Sequence, residues 1–371
     1  MQGKKILPGL LLFGAAFPLL FWNESNAVKT AKGLEEASTK VISVSSEEVL
    51  PANNGQLVHV TGFAKAQDKV RDSLIGFNQN VLKLVRDVEM YQWVEREEST
   101  DSTQQGETSS SANKQGVRYE QIWSSREINS RRFKNSRQYA NPRMPIISET
   151  FTAKQVSLGA FKLNADQINQ ISGQEPLDLD NNMLQQFKLR FRDAREYSSY
   201  IYTSRNYTRP MVGDLRIRYY VVKNQDISVV ANQSGSTFQA YVTQQGTSVS
   251  LVENGTLGAA EMFENALATN ALMTWVLRLV GYLMMYFGLT MLLGIIPGFF
   301  RSLPFIGTIV DVGTKLFAGA VAFLFSSLTI AVGWFFARPV VSIVLIIAGV
   351  AVVFVAKKAA SKNQAVSAAE Q

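Results

Sequence analysis

Apolar stretches long enough to cross a bilayer occur at the two ends of this chain and nowhere between them. The first runs from Ile6 to Trp22, and the others fall after Ala271. A hydrocarbon core takes about 20 residues of helix, with a range of roughly 17–25. The chain therefore starts in a membrane, leaves it for a long polar excursion, and returns. Mean hydropathy is +0.01 because it averages these two populations.

The spacing predicts four spans. Span one is 6–22, preceded by Lys4 and Lys5 and closed by Phe21-Trp22 in the manner of an interfacial belt. Ser25-Asn26-Ala27 has the small-x-small form of a signal-peptide cleavage site. An uncleaved anchor is the preferred reading, since a helical pattern continues over Ala27–Thr39. Span two runs from Ala271 to Leu293, and to Phe300 (271–300) if Gly294, Pro297 and Gly298 only kink it, and Pro304 and Gly307 mark a break. Span three is 316–336 and span four 340–356, joined as a hairpin by Arg338-Pro339.

Lys and Arg placement sets the orientation. Lys4 and Lys5, Arg301 and Lys315, and Lys357, Lys358 and Lys362 all fall on one side of a four-span chain. Both termini (1–5 and 357–371) are then cytoplasmic, and 23–270 forms a large extracytoplasmic domain.

Within that domain several runs alternate apolar and polar residues with the period of half-buried strands. They include Gln56–Val60, Val81–Trp93, Arg118–Trp123, Leu215–Val222, Ile227–Val230, Thr237–Val242 and Thr247–Val252. Turn-type clusters separate the last four, which predicts an antiparallel meander. Helices are expected over Asn164–Ile171 and Gly258–Asn270. Residues 97–116 are mostly Ser, Thr, Gln, Glu and Gly without a large apolar side chain, which predicts a disordered loop. The expected fold class is α+β: a four-helix transmembrane protein, with one N-terminal and three C-terminal spans, carrying a β-rich extracytoplasmic domain.

Composition removes whole classes of chemistry. The 371 residues contain no cysteine, so disulfides, thiolate metal sites and thiol catalysis are excluded. There is one histidine, His59, in a strand pattern and best read as a sheet residue. P-loop, dinucleotide, HExxH and nucleophile-elbow motifs are missing. Glu35-Glu36, Glu47-Glu48 and Glu97-Glu98 are adjacent in sequence and point apart. Asp178 and Asp180 could share a strand face and hold calcium, but Leu177-Asp178-Leu179-Asp180-Asn181-Asn182 also reads as a loop into a helix. The net charge of +7 is topological, and the Arg131-Arg132-Phe133-Lys134 run is too short for nucleic acid. No catalytic residue, metal or cofactor is expected.

One charged residue lies within an apolar span. Arg278 sits near the outer end of span two, and Glu24 lies just beyond span one at the same boundary. A charge at that depth pairs or snorkels. A Glu24–Arg278 pair would hold span one against the C-terminal bundle, and a charge swap that rescues neither single mutant would count against it. Gly281, Gly288 and Gly294 in span two, and Gly319 and Gly333 in span three, permit close helix packing.

Particular strings now matter. Leu20-Phe21-Trp22-Asn23-Glu24, with Ala27-Val28-Lys29-Thr30-Ala31 and Leu34-Glu35-Glu36, resembles the opening of the transmembrane protein 43 family, also called LUMA. Gly55–Gly62 and Val88-Glu89-Met90-Tyr91-Gln92-Trp93-Val94-Glu95 extend the resemblance, as do Asn141-Pro142-x-Met144-Pro145 and Thr274-Trp275-x-x-Arg278-x-x-Gly281. The resemblance covers nearly the whole chain. It implies one N-terminal span, a large extracytoplasmic domain and three C-terminal spans. It also implies a non-enzymatic, self-associating scaffold of membrane complexes, with the lipid bilayer, further copies and other membrane proteins as partners. In animals the family sits at the endoplasmic reticulum and inner nuclear membrane with lamins and emerin. The Ser/Gln-rich insertion and short tail point to a bacterial member, in the inner membrane with a periplasmic domain, so the nuclear partners are not transferred. The rivals are a membrane-anchored ligand-binding or enzymatic domain, which needs a deep polar pocket, and a channel or transporter subunit, which needs a polar seam through the spans.

Overall fold

The computed structural model describes residues 3–97, 116–204, 206–294 and 306–337, together with residue 343. Five α-helices lie among them: α1 (Gly3–Ser38), α2 (Ala165–Gln170), α3 (Asn181–Arg190), α4 (Ala259–Leu293) and α5 (Ile306–Ala337). The chain divides into two compact units. One holds residues 1–41, 240–249 and 259–371, and the other 42–239 and 250–258.

The first unit contains the membrane helices. Three helices among the described residues are long and apolar enough to span: Ile6–Ser38, Ala259–Leu293 and Val312–Ala337. The expected fourth span, 340–356, lies outside the described residues apart from Ile343, and most of the expected 97–116 loop does too. Span one and the helix expected after it are one element, since α1 runs 36 residues through Trp22 without a break. At 1.5 Å per residue that is about 54 Å, well beyond a hydrocarbon core of about 30 Å. Pro8 and Pro18 lie within α1, where neighbouring helices make such a residue tolerable. Likewise α4 joins the expected 258–270 helix to span two and ends at Leu293. Residues 295–300 of the expected continuation lie outside the described residues. Gly307, expected to mark a break, is inside α5.

The second unit is built from two sheets. In the first, Leu57–Ala66 pairs with Val156–Leu158, which continues to Phe161–Leu163, Thr237–Gln239 and Gln225–Ser234. Gln225–Ser234 then pairs with Leu57–Ala66 again, so these five strands close into a ring. Val60, Leu158, Phe161, Val229 and Phe238 are buried, and the Phe161 and Phe238 rings stack at 4.9 Å. Ser234 pairs with Thr237 across a two-residue turn, where Gly235 takes the positive φ of +60° that this hairpin favours.

The second sheet is centred on Lys83–Glu97. Leu215–Val222 flanks it on one side and Val117–Ser124 with Glu149–Thr152 on the other. This overturns the expected meander. Leu215–Val222 pairs with 83–90 in the second sheet, while Gln225–Ser234 belongs to the first. Alternation reports that each strand has a buried face; it carries no information about which sheet supplies the neighbour.

Candidate functional site

Within the membrane-helix unit, α1 and α4 run antiparallel in one register. Gly9 lies beside Gly288 and Met291, Leu20 packs on Gly281, Asn23 meets Thr274, and Asn270 meets Ala27. A Cβ on Gly288 would lie 2.7 Å from the Phe13 nitrogen and 2.9 Å from the Gly9 oxygen, so the backbones themselves touch there. A Cβ on Gly281 would collide with the Leu20 side chain. Thr274, Gly281 and Gly288 are all buried and recur every seven residues, which keeps one face of α4 against α1.

The structure brings Glu24 and Arg278 together in this interface. Arg278 Nε donates to Glu24 Oε1 and Nη2 to Oε2, both at 2.7 Å. This is a bidentate, charge-assisted pair. The Glu24 side chain is 1% exposed and that of Arg278 is 20% exposed. Asn23 Nδ2 donates to the Thr274 carbonyl at 3.2 Å, and the Arg278 guanidinium lies 4.6 Å from the centre of the Trp275 ring. On its other side Glu24 abuts Gly333 of α5, where any side chain would crowd it. Beyond this level the hairpin Tyr241–Val249 packs along α1. Thr247 Oγ1 donates to the Lys29 carbonyl at 3.1 Å, and the Gln244 amide reaches the Glu36 carboxylate at 3.1 Å. Gly33 is the only residue type that fits under Thr247.

The β-rich unit holds polar groups that the sequence reading missed. Arg86 Nη1 donates to Asp72 Oδ2 at 2.7 Å and Nη2 to Glu149 Oε2 at 2.7 Å. The Tyr219 hydroxyl donates to Asp72 Oδ2 at 3.1 Å. Burial opposes the Arg86 charge, but the Asp72 carboxylate outweighs it and raises the pKa. Burial and then the Asp72 charge push the Tyr219 phenol well up. A cavity of about 610 Å³ opens beside this cluster, with Arg71 and Arg190 also in its lining. A signal was present in the sequence: Arg86 occupies the buried phase of its strand between Leu84 and Val88. Lys83 is also buried, and its ammonium donates to the Asn169 and Ile171 carbonyls at 2.8 and 2.6 Å, capping the end of α2. Burial lowers its pKa.

The remaining candidates have ordinary roles. His59 is a sheet residue, with Nε2 2.9 Å from the Leu257 carbonyl and Nδ1 3.1 Å from Ser43 Oγ. Asp180 caps α3 by accepting from the Met183 amide at 2.7 Å. No group of three acidic or His side chains able to hold a metal occurs among the described residues.

The second sheet has one buried face and one open face. Leu84, Val88, Met90, Leu215, Ile217 and Tyr219 are buried. The alternate positions carry aromatic and charged residues that are partly or fully exposed. Arg216 lies between the Trp123 and Tyr200 rings, at 4.7 and 5.5 Å, and pairs with Glu89 at 2.5 Å. Arg218 lies between Tyr200 and Tyr220, at 5.3 and 5.0 Å. Its Nε has no hydrogen-bond partner among the described residues.

Comparison with known proteins agrees with this architecture. A family model described as transmembrane protein 43 matches residues 90–339. Transmembrane protein 43 of Mus musculus is 34% identical over 343 residues, which covers 89% of this chain and 84% of the relative. The Homo sapiens protein is 33% identical over 357 residues, covering 93% and 87%. The homolog from Drosophila melanogaster is 30% identical over 351 residues, covering 92% and 91%. No solved structure matches. With its apolar helices at both ends and relatives matched over most of its length, this multi-pass integral membrane chain belongs to the transmembrane protein 43 family.

Proposed function

We propose that this chain is a non-enzymatic membrane protein that self-associates and scaffolds membrane complexes. The observation that carries the reading is the open sheet face, where Arg216 and Arg218 are interleaved with Trp123, Tyr200 and Tyr220. Trp, Tyr and Arg dominate the energetics of protein–protein interfaces, because large rigid rings and a planar cation lose little entropy for the contact they make. The same face carries Asp87 and Glu89 opposite Arg218 and Arg216, so its charge is balanced and a second copy would meet no net repulsion. The Glu24–Arg278 pair acts as a structural clamp at the membrane boundary, holding α1 on α4. Lys and Arg placement favours cytoplasmic termini and an extracytoplasmic β-rich domain, which is periplasmic if the membrane is a bacterial inner membrane. Purification in native-lipid nanodiscs tests the reading: the particle should have a multimeric protein mass, and Tyr200→Ala with Arg216→Ala should reduce it. A monomeric mass in both nanodiscs and mild detergent refutes self-association.

The cavity beside Asp72, Arg86 and Tyr219 favours a second reading, a ligand-binding domain on a membrane anchor. A small molecule that co-purifies with the wild type and is lost on Arg190→Ala would support it.

A further inference from the structure

The helices α4 and α5 leave between them an open groove of about 1050 Å³. Leu279, Tyr282, Phe323, Ile330 and Phe335 make its walls. From Phe323 to Phe335 it follows twelve residues of helix, about 18 Å. One end lies at the level of the Glu24–Arg278 pair, flanked by Trp275 and Trp334, residue types that favour the headgroup region. Glu24 comes directly after Trp22-Asn23, so this end is at the membrane boundary and the other runs towards the bilayer interior.

The groove is polarised. Among the described residues Arg278 is the one charged side chain in its lining, since Glu24 stands behind it and is buried. The ion pair uses Nε and Nη2, and Nη1 is outside both bonds. The guanidinium carbon lies over the Trp275 ring, 4.6 Å from its centre. The groove thus presents a fixed cationic edge at the boundary above a long apolar trough. An isolated acyl chain would satisfy the trough and leave the edge without an acceptor. The chain's own segment 340–356 is apolar with Ser342 as its one polar side chain, so it brings no anion to Arg278. A membrane phospholipid supplies both parts, a monoanionic phosphodiester on the diglyceride of its acyl chains.

We propose that this groove binds one phospholipid, with its phosphodiester on the Nη1 edge of Arg278 and an acyl chain along Leu279, Tyr282 and Phe323. The site differs from ordinary lipid contact in fixing the headgroup, and this makes it testable by retention. Full-length protein is reconstituted in nanodiscs of phosphatidylcholine and phosphatidylglycerol, released into mild detergent, and weighed by native mass spectrometry. One phospholipid should remain on each chain. Ala331→Trp adds bulk to the trough while keeping both residues of the ion pair and should lower occupancy at least tenfold. Arg278→Lys keeps a charge for Glu24 but removes the Nη1 edge and should lower it severalfold. As a measurement that needs no variant, a phospholipid with a photoreactive acyl chain should label residues 323–335 of the wild type, and excess unlabelled phospholipid should suppress the labelling. No retained lipid on the wild type, or equal retention in wild type and Ala331→Trp, overturns the proposal. Because the chain lacks cysteine, Ser327→Cys with Ala348→Cys forms a clean pair. Near-complete disulfide formation between them would show that the chain's own terminal segment fills the groove, which also overturns it.

Discussion

Removing Arg278 should harm this protein more than removing Glu24, although the two share one ion pair. The reason is the difference in exposure, 1% for the Glu24 side chain and 20% for Arg278. Arg278→Ala strands a carboxylate that cannot reach water, with the long 3.5 Å contact from Asn23 as its remaining side-chain donor among the described residues. Stranding one partner of a buried pair costs about 3–5 kcal/mol. Glu24→Ala loses the same two hydrogen bonds, but the guanidinium stem can swing towards the boundary and hydrate its head. That substitution should cost about 1.5–3 kcal/mol, near the value of a charged hydrogen bond. The double alanine variant strands nothing, so a coupling of about 2 kcal/mol or more should appear in a double-mutant cycle. Reversible unfolding in bicelles, followed by separation of labels on α1 and α4, reads all four corners. A reversed order of the single variants, or a coupling below about 0.5 kcal/mol, would refute the reasoning. Charge reversal is a poorer test, because Gly333 abuts Glu24 and leaves little room for an arginine there.

Other expectations follow from the same geometry. Gly288→Ala should weaken the α1–α4 pair more than Gly281→Ala, since the first meets the Phe13 and Gly9 backbone and the second a Leu20 side chain that can turn. Overpacking costs of about 1–3 kcal/mol set the scale, read in the same bicelle assay. Tyr219 keeps its proton in the fold at a pH where the unfolded chain has lost it. Stability should therefore fall as pH rises past about 10, by up to about 1.4 kcal/mol per pH unit, and Tyr219→Phe should remove that slope in urea melts. At neutral pH, Tyr219→Phe should cost about 1–2 kcal/mol for the lost bond to Asp72. Arg216→Ala should lower the oligomer mass while leaving the thermal midpoint nearly unchanged, since its pair with Glu89 is part-exposed.

The sequence was most legible where one physical force dominates. Bilayer thickness alone separates 6–22 and the stretch after Ala271 from everything else, and strand alternation locates Leu215–Val222 to the residue. It misleads where two environments share one element. The apolar pattern stops at Trp22, yet Ala, Leu, Lys and Glu between Asn23 and Ser38 continue the helix on propensity and packing. Thr237–Val242 is one alternating run, but the chain gives Thr237–Gln239 to the closed strand ring and Tyr241–Val242 to the hairpin beside α1. Asp72, Arg86 and Tyr219 come together from three separate strands, and no local spacing encodes that meeting. Glu24 and Arg278 could be considered together because both were unusual at the same membrane depth.

The α1–α4 register also has a consequence for synthesis. The partners in the ion pair are separated by 254 positions. At about 5–20 residues per second, Glu24 waits roughly 13–50 s for Arg278 to be made. During that interval the α1 face that will meet Gly281 and Gly288 has only lipid beside it, and the carboxylate has only interfacial water. Assembly of the helices is thus ordered in time, with the first helix inserted as a lone anchor and its partner arriving only after the β-rich unit has been made. Anything that binds the waiting face, whether a chaperone or another copy's helix, competes with the native pair during that delay.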